Sequence, residues 1–424
     1  MVIAQSYVNL LSDLLSINTV SPLETGVTSD IPAAMELYGR AARAIGFEVV
    51  FDGPAEITEV VPVKALQCFD KLGYSFLASQ PSLVLALGDW RASAPRMMFN
   101  FHMDTVGPHL PVSIDGGKLF GRGAADNKGP GVALLAAVSE WQSSRPKQDG
   151  PSILIQCVSG EEGGAMGTYG TLPLIRKGFF GELNVFMIPS NMKYFDSSTA
   201  SMTAELRVLG SGSTDDYPQD GDNATLVLSS LISDLAHPLS TLCAAADVKL
   251  TVAGLNTGTM HNRVYGDGIA LLNFSYRSLE SAKLIEEEFE SMFFASLKRL
   301  SSRYSDVAFF DRTARNCRAI TSYRWLKRGL PVLSNKNPEW EIKLRKVGLV
   351  RHQSDRDTFT CDAMWGNLPE CYSIVYGPGS LLDNGAHTAA EYIEIAQLDE
   401  FAAGLLALLR SVDADVRSTV VVPG

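Results

Sequence analysis

The sequence predicts an α/β protein: one domain with a mostly parallel sheet flanked by helices, interrupted by a smaller inserted α+β domain. Three observations carry this reading. Short apolar runs alternate with helical stretches through the first two hundred residues; a middle segment switches to alternating strands and long helices; and the first pattern returns after Arg315. The opening residues space Leu10, Leu11, Leu14 and Leu15 for an amphipathic helix. A helix over Ile31–Ile45 then leads to an early edge strand, Gly46–Gly53. Ser82–Leu87, Arg96–Phe101, Ser152–Val158 and Asn184–Ile188 read as strands, apolar enough for burial in a parallel sheet, and the Ala- and Leu-rich run Gly131–Ser143 reads as a helix between them. In the middle, Ser198–Leu209 alternates, Gly210–Asn223 is a polar loop, Ala224–Ala236 is helical, Val248–Leu255 and Ile269–Tyr276 are strand-like, and Ala282–Arg299 is a charged amphipathic helix. The insertion is therefore placed at 199–314, between two parts of one domain, 1–198 and 315–424. In the last part Trp340–Val347 reads as a helix, Cys371–Tyr376 as a strand and Leu398–Leu409 as a final helix.

The 424 residues suffice for two or three domains with a well-buried core. With 36 basic against 47 acidic residues the net charge is −11 and no basic block offsets it, which argues against a nucleic-acid partner. No window approaches the roughly 18–20 apolar residues of a membrane helix. The first residues lack a basic leader region and a small-residue cleavage site, so the expectation is a cytoplasmic chain with no membrane partner. Cys68, Cys157, Cys243, Cys317, Cys361 and Cys371 are scattered without a CxxC pair and read as buried thiols in a reducing compartment.

Four clusters carry chemistry. Phe99-Asn-Phe-His-Met-Asp-Thr-Val106 places His102 and Asp104 after a strand, where an aspartate two residues on can hold the ring or share a metal. Alone it better suits a strand-end histidine capped by a carboxylate than a site. Leu119-Phe-Gly-Arg-Gly-Ala-Ala-Asp-Asn-Lys-Gly-Pro-Gly131 sets Asp126 in a glycine-rich turn feeding a helix. A phosphate cradle is the rival there, but the GxxxxGK[ST] order is absent; an acidic helix cap is the plainer alternative. Val158-Ser-Gly-Glu-Glu-Gly-Gly164 puts Glu161 and Glu162 side by side on a tight loop, where they repel unless a cation compensates. Such neighbours can divide their work, one ligating and one accepting a proton. The fourth cluster, Tyr376 to Tyr392, carries His387 between a glycine-rich loop and a helical tail. Imidazole, carboxylate, carboxylate and imidazole are the donors a pair of zinc ions prefers.

Taken together, HxDTV, GRGxxDNKG, GEEGG and GPGx6AHTxxE closely resemble the zinc-dependent metallopeptidases that include glutamate carboxypeptidase, aminoacylase, acetylornithine deacetylase and succinyl-diaminopimelate desuccinylase. The resemblance implies that 1–198 and 315–424 form a metal-binding catalytic domain and 199–314 a lid and dimerisation domain, giving a homodimer. It implies that His102 binds one Zn2+, that Asp126 bridges two, and that Glu162 and His387 bind the second. Asp104 would orient His102, and Glu161 would be the base that takes a proton from metal-bound water. Asn262, Arg277 and Gly379 would meet the substrate, Arg277 suiting a carboxylate; a strand-end amide and a surface charge are the alternative reading of Asn262 and Arg277. The implied activity is hydrolysis of the amide bond of an N-acyl amino acid or small peptide-like molecule.

Two departures from that pattern stand out. The family places a further Asp or Glu ligand where this chain reads Val185-Phe-Met-Ile-Pro-Ser-Asn-Met192; whether Ile188 or Ser190 is the equivalent position, no carboxylate is there, and Ser190 or Asn191 offers only a neutral oxygen. One firmly bound ion is therefore expected, with the second in question. The family's lid histidine, which stabilises the oxyanion, is replaced by Thr214, with His261 as another candidate. These departures keep two alternatives beside hydrolysis: amide formation or acyl transfer in a specialised pathway, and a catalytically silent binding protein. Among the other histidines His109 is expected nearest the site, with His237 and His352 structural, and Trp340, Trp365, Phe359 and Tyr323 are candidates for a pocket wall or for core.

Overall fold

A computed structural model describes residues 2–59, 74–91, 96–144 and 150–420. Cys68 lies outside the described residues. The chain divides into two compact units, Met1–Ser198 with Leu333–Gly424, and Thr199–Val332.

In the first unit the opening helix α1 (Gln5–Ser16) buries Leu11, Leu14 and Leu15, and α2 (Ile31–Ala44) buries Ala34, Met35 and Tyr38. Strands β1 (Glu48–Pro54), β2 (Pro81–Leu87) and β3 (Arg96–His102) follow, then helix α3 (Lys128–Ser143) and strands β4 (Ser152–Val158) and β5 (Leu183–Phe186). After the second unit the chain adds β6 (Tyr372–Val375) and the final helix α4 (Ile395–Val420). The sheet order is β1-β2-β4-β3-β5-β6, with β4, β3, β5 and β6 mutually parallel and β1 and β2 joined antiparallel at the edge. Every residue of β4 and β5 is buried, which is why these strands read as continuous apolar runs rather than alternating ones.

This topology fixes where a site can form. The chain leaves β3 for β4 on one side and returns to β5 on the other, so β3 lies at the point where the winding reverses. Loops leaving the carboxyl ends of parallel strands diverge there and open a crevice. All four sequence clusters sit on such loops or at their strand ends. Beneath the crevice, α3 is buried almost throughout and lies against β3, close enough that a Cβ on Gly131 would meet the Phe101 ring at 2.6 Å.

The second unit is a four-stranded antiparallel sheet in the order Lys249–Asn256, Asp267–Tyr276, Ala200–Leu209, Thr321–Lys327, packed with helices Ala224–Ala245 and Leu279–Tyr304. Its end corrects the sequence reading. The insertion does not close at 314, because helix Asp311–Ile320 and strand Thr321–Lys327 complete this unit, and Thr321 to Lys327 pair with Val208 to Thr203. Tyr323 and Trp325 belong to an aromatic cluster with Phe289. Tyr323 is thus part of that packing rather than of a pocket wall.

The Gly131 contact gives a stability test. Helix propensity alone favours a side chain over glycine by about 0.5–1 kcal/mol. Overpacking a filled core costs about 1–3 kcal/mol. Gly131→Val sets a branched side chain against a fully buried ring, so a net loss of about 1–2 kcal/mol is expected in urea unfolding, with an unchanged m-value.

Candidate metal centre

The site assembles from backbone outward. His102 ends β3 directly opposite Val158, the last residue of β4, so the loop carrying Glu161 and Glu162 starts beside the imidazole. The Nδ1–H of His102 donates to the backbone carbonyl of Asp104 at 2.8 Å. A carbonyl only accepts, which fixes one proton on Nδ1; Asp126 favours the doubly protonated imidazole, which donates from Nε2 to Oδ1 at 3.1 Å. The orienting role expected of the Asp104 carboxylate thus falls to its backbone. The carboxylate lies 3.8 Å from Nδ1 and instead accepts the Glu162 N–H at 3.0 Å and the Glu161 N–H at 3.4 Å. Asp104 therefore holds the paired-glutamate loop against the strand that presents His102.

Asp126 is placed by a buried clamp. One carboxylate oxygen of Glu391 accepts the N–H groups of Gly123, Ala125 and Asp126 at 3.0–3.2 Å, and the other receives Arg122 at 2.6 Å. Arg122 also donates to the Thr388 carbonyl at 2.9 Å, which ties the loop of Asp126 to the segment that carries His387. Glu391 and Arg122 are each 1% exposed. The Asn127 side chain accepts from the His102 N–H at 3.3 Å and donates to the Met187 carbonyl at 2.8 Å, joining β3 to the segment after β5. Below the turn, Lys128 donates to the carbonyls of Leu14 and Ile17 at the end of α1, and burial pushes its ammonium down to about 7.

At the centre, His387 holds a left-handed backbone conformation, φ +64°, uncommon for a residue with a Cβ and frequent where a functional side chain is aimed. Its Nε2 lies 3.2 Å from Asp126 Oδ2 and 3.2 Å from Glu162 Oε1. Donors at bonds of about 2.0–2.1 Å on a tetrahedral zinc stand roughly 3.3 Å apart, so the spacing and chemistry of this trio fit a divalent ion. A second trio, His102, Glu161 and Glu162, also brings its ligand atoms within 4.8 Å of one another. The cluster opens into a cavity of about 130 Å³ whose remaining wall is largely apolar: Met166, Ile188, Phe359, Cys361 and Leu381.

The electrostatics follow from this crowding. Burial pushes the Asp126 carboxyl up, but hydrogen bonds from His102 and His387 outweigh it and hold the group below the usual carboxylate range. Those same bonds to Asp126 and then Glu162 carry His387 up to about 11. Burial and the adjacent Glu162 raise Glu161 well above an ordinary glutamate. Burial likewise raises Asp362, to about 7, although it accepts a hydrogen bond from Thr171.

The remaining candidates stand elsewhere. Ile188 packs in the apolar core and forms cavity wall, while Ser190 is turned away, its hydroxyl accepting the Gly377 N–H at 2.9 Å. Gly379, at φ +65°, accepts the Asn191 N–H through its carbonyl and is too crowded by Asn384 for a side chain. In the second unit Asn262 is exposed in a turn, Arg277 pairs with Asp247 at 3.0 Å, Thr214 pairs across a short ladder with Arg263, and His261 is exposed. His109 is exposed and does not line the cavity. Of the aromatic candidates Phe359 alone reaches the cavity; Trp340 is in the core, and Trp365 donates to the Met166 carbonyl behind the wall. Sequence reasoning did not single out the Glu391–Arg122 clamp, although both residues stand inside quoted motifs.

Residues 98–411 match the family model for peptidase family M20/M25/M40. The chain is 27% identical over 293 residues to a succinyl-diaminopimelate desuccinylase of Gluconobacter oxydans, covering 65% of this chain and 68% of that protein. A probable succinyl-diaminopimelate desuccinylase of Staphylococcus epidermidis is 27% identical over 169 residues, 37% of this chain, and there the chain spans about 40% of the relative's length. A solved structure from Bacillus subtilis, described as a dinuclear metal-binding peptidase, shares the fold at a TM-score of 0.56 and 11% identity, covering 97% of this chain and 98% of that one.

Two outcomes follow. A His387 that titrates near 11 is protonated at neutral pH and must release that proton to ligate, so zinc affinity is expected to rise about tenfold per pH unit between pH 6 and 8. Calorimetric titrations in buffers of different ionisation enthalpy should show at least one proton released per ion bound; a pH-independent affinity contradicts the ligand set. Glu391→Gln keeps the shape but removes the charge that holds Arg122 and three N–H groups, and a zinc affinity about 10- to 100-fold weaker is expected by equilibrium dialysis.

Proposed function

The chain belongs to peptidase family M20/M25/M40, a family of metal-dependent hydrolases, and we propose that it cleaves the amide bond of an N-acyl amino acid or small peptide-like substrate with zinc as its metal. The observation that carries the proposal is that His387 Nε2 stands 3.2 Å from both Asp126 and Glu162, with the ligand atoms of all three within 4.8 Å of one another and Glu161 beside them. A divalent ion held there supplies a Lewis acid for the amide carbonyl and makes water a nucleophile near neutral pH. A mixed nitrogen and oxygen donor set suits zinc, and Asp126, Glu162 and His387 form its firm position.

The chain's own groups then have distinct tasks. Glu161 takes the proton of the attacking water and returns it to the leaving amine. Burial and the neighbouring Glu162 raise its carboxyl above that of an ordinary glutamate, the direction that makes its carboxylate a stronger base. Asp104 keeps Glu161 and Glu162 in register through their N–H groups. His102 supplies an imidazole against the second oxygen of Asp126. The family resemblance further assigns substrate contact to Asn262, Arg277 and the backbone at Gly379, Arg277 being the residue type suited to a carboxylate. Pairing of two chains through the second unit, as the family resemblance implies, completes the proposed assembly.

Zinc-loaded protein incubated with N-acetyl, N-succinyl and dipeptide amides is expected to release free amine. Glu161→Gln should cut kcat by roughly 100- to 10,000-fold while zinc content and melting temperature stay unchanged. Wild-type protein that retains no zinc, or a Glu161→Gln variant as active as wild type, contradicts the reading.

A further inference from the structure

Asp126 offers its two oxygens to two unequal places. Toward Oδ2 stand His387 and Glu162, so two carboxylates and an imidazole surround one position with matching spacing. Their charge balances that of one dication. Toward Oδ1 stands His102 at 3.1 Å, and the other ligand atoms near that imidazole belong to Glu162 and Glu161. Glu162 is already committed to the first position. Glu161 is the proton carrier in the proposed reaction and cannot be a permanent ligand as well.

The segment after β5 supplies no carboxylate. Ile188 turns an alkyl side chain into the cavity, and the Ser190 hydroxyl is held by Gly377. Among the described residues, a dication beside His102 would have two fixed donors, His102 and Asp126, and face a largely apolar wall, and a charge so poorly surrounded is costly to bury. From this we infer that each chain holds a single divalent ion, at Asp126, Glu162 and His387, and that Ile188 closes the second position. The inference rests on reading the cluster as a metal centre. It sets this chain apart from the Bacillus subtilis relative described as dinuclear.

Counting ions tests this without reference to activity. Protein is stripped with a chelator, reloaded with excess zinc, desalted and analysed by inductively coupled plasma mass spectrometry, with calorimetric titration alongside. Wild type is expected to retain one zinc per chain. His102→Ala should still retain one, and His387→Ala should lose it on desalting. Ile188→Asp, which restores a carboxylate to the wall, should raise the count to two, whereas Ile188→Ala, which adds space without charge, should leave it at one. Two ions in wild type, a count that falls with His102→Ala, or a folded Ile188→Asp that stays at one overturns the single-ion inference and leaves the hydrolase reading standing. Protein that retains no zinc overturns both. The wild-type and His102→Ala counts decide the matter even if Ile188→Asp fails to fold, which circular dichroism reports.

Discussion

Three carboxylates, those of Asp126, Glu161 and Glu162, crowd together with two imidazoles at the mouth of one small cavity, and the surrounding structure is arranged to hold that charge in place. Left to themselves the acids shed it. Burial and mutual repulsion drive Glu161 and Glu162 toward the protonated form, while Asp126 stays ionised through hydrogen bonds from His102 and His387. A divalent cation placed among them would resolve the conflict by compensating their charge. The protons on the imidazoles occupy the place that a cation takes, which couples metal uptake to pH.

Holding such a cluster open against its own repulsion requires rigid supports, and these come from the backbone. Asp104 grips the paired-glutamate loop, the Glu391 carboxylate grips the turn of Asp126, and Arg122 ties that turn to the segment of His387. Each support spans loops far apart in sequence but adjacent at the carboxyl ends of β3, β4 and β6. The parallel sheet therefore does more than bury apolar surface. It brings four distant segments to one edge, and the clamps convert that proximity into ligand distances near 3.2 Å.

Much of this was legible in the sequence, for identifiable reasons. Strands β2 to β5 announce themselves as apolar runs because they are buried on both faces, and the four motifs follow strand ends because that is where a parallel sheet leaves room. The missing carboxylate at Ile188 and Ser190 was equally visible, because the family that the motifs resemble places an acid there and this sequence has none. Three things were not. The extent of the insertion depends on Thr321–Lys327, whose alternation Tyr323, Trp325 suits a strand in either unit until its pairing partner is known. The hold on His102 comes from a backbone carbonyl, which every residue carries, so the side chain of Asp104 attracted the assignment. Glu391 and Arg122 lie inside recognisable motifs, yet their partnership spans 269 residues of sequence and no local spacing encodes it.

The central claim is a place: a divalent ion bound where Asp126, Glu162 and His387 meet. Crystals of zinc-loaded protein, with anomalous data collected on either side of the zinc absorption edge, report that place directly. The account predicts a full-occupancy peak about 2.0–2.2 Å from Asp126 Oδ2, Glu162 Oε1 and His387 Nε2. A map in which zinc is bound elsewhere, with these three side chains directed away from it, contradicts it.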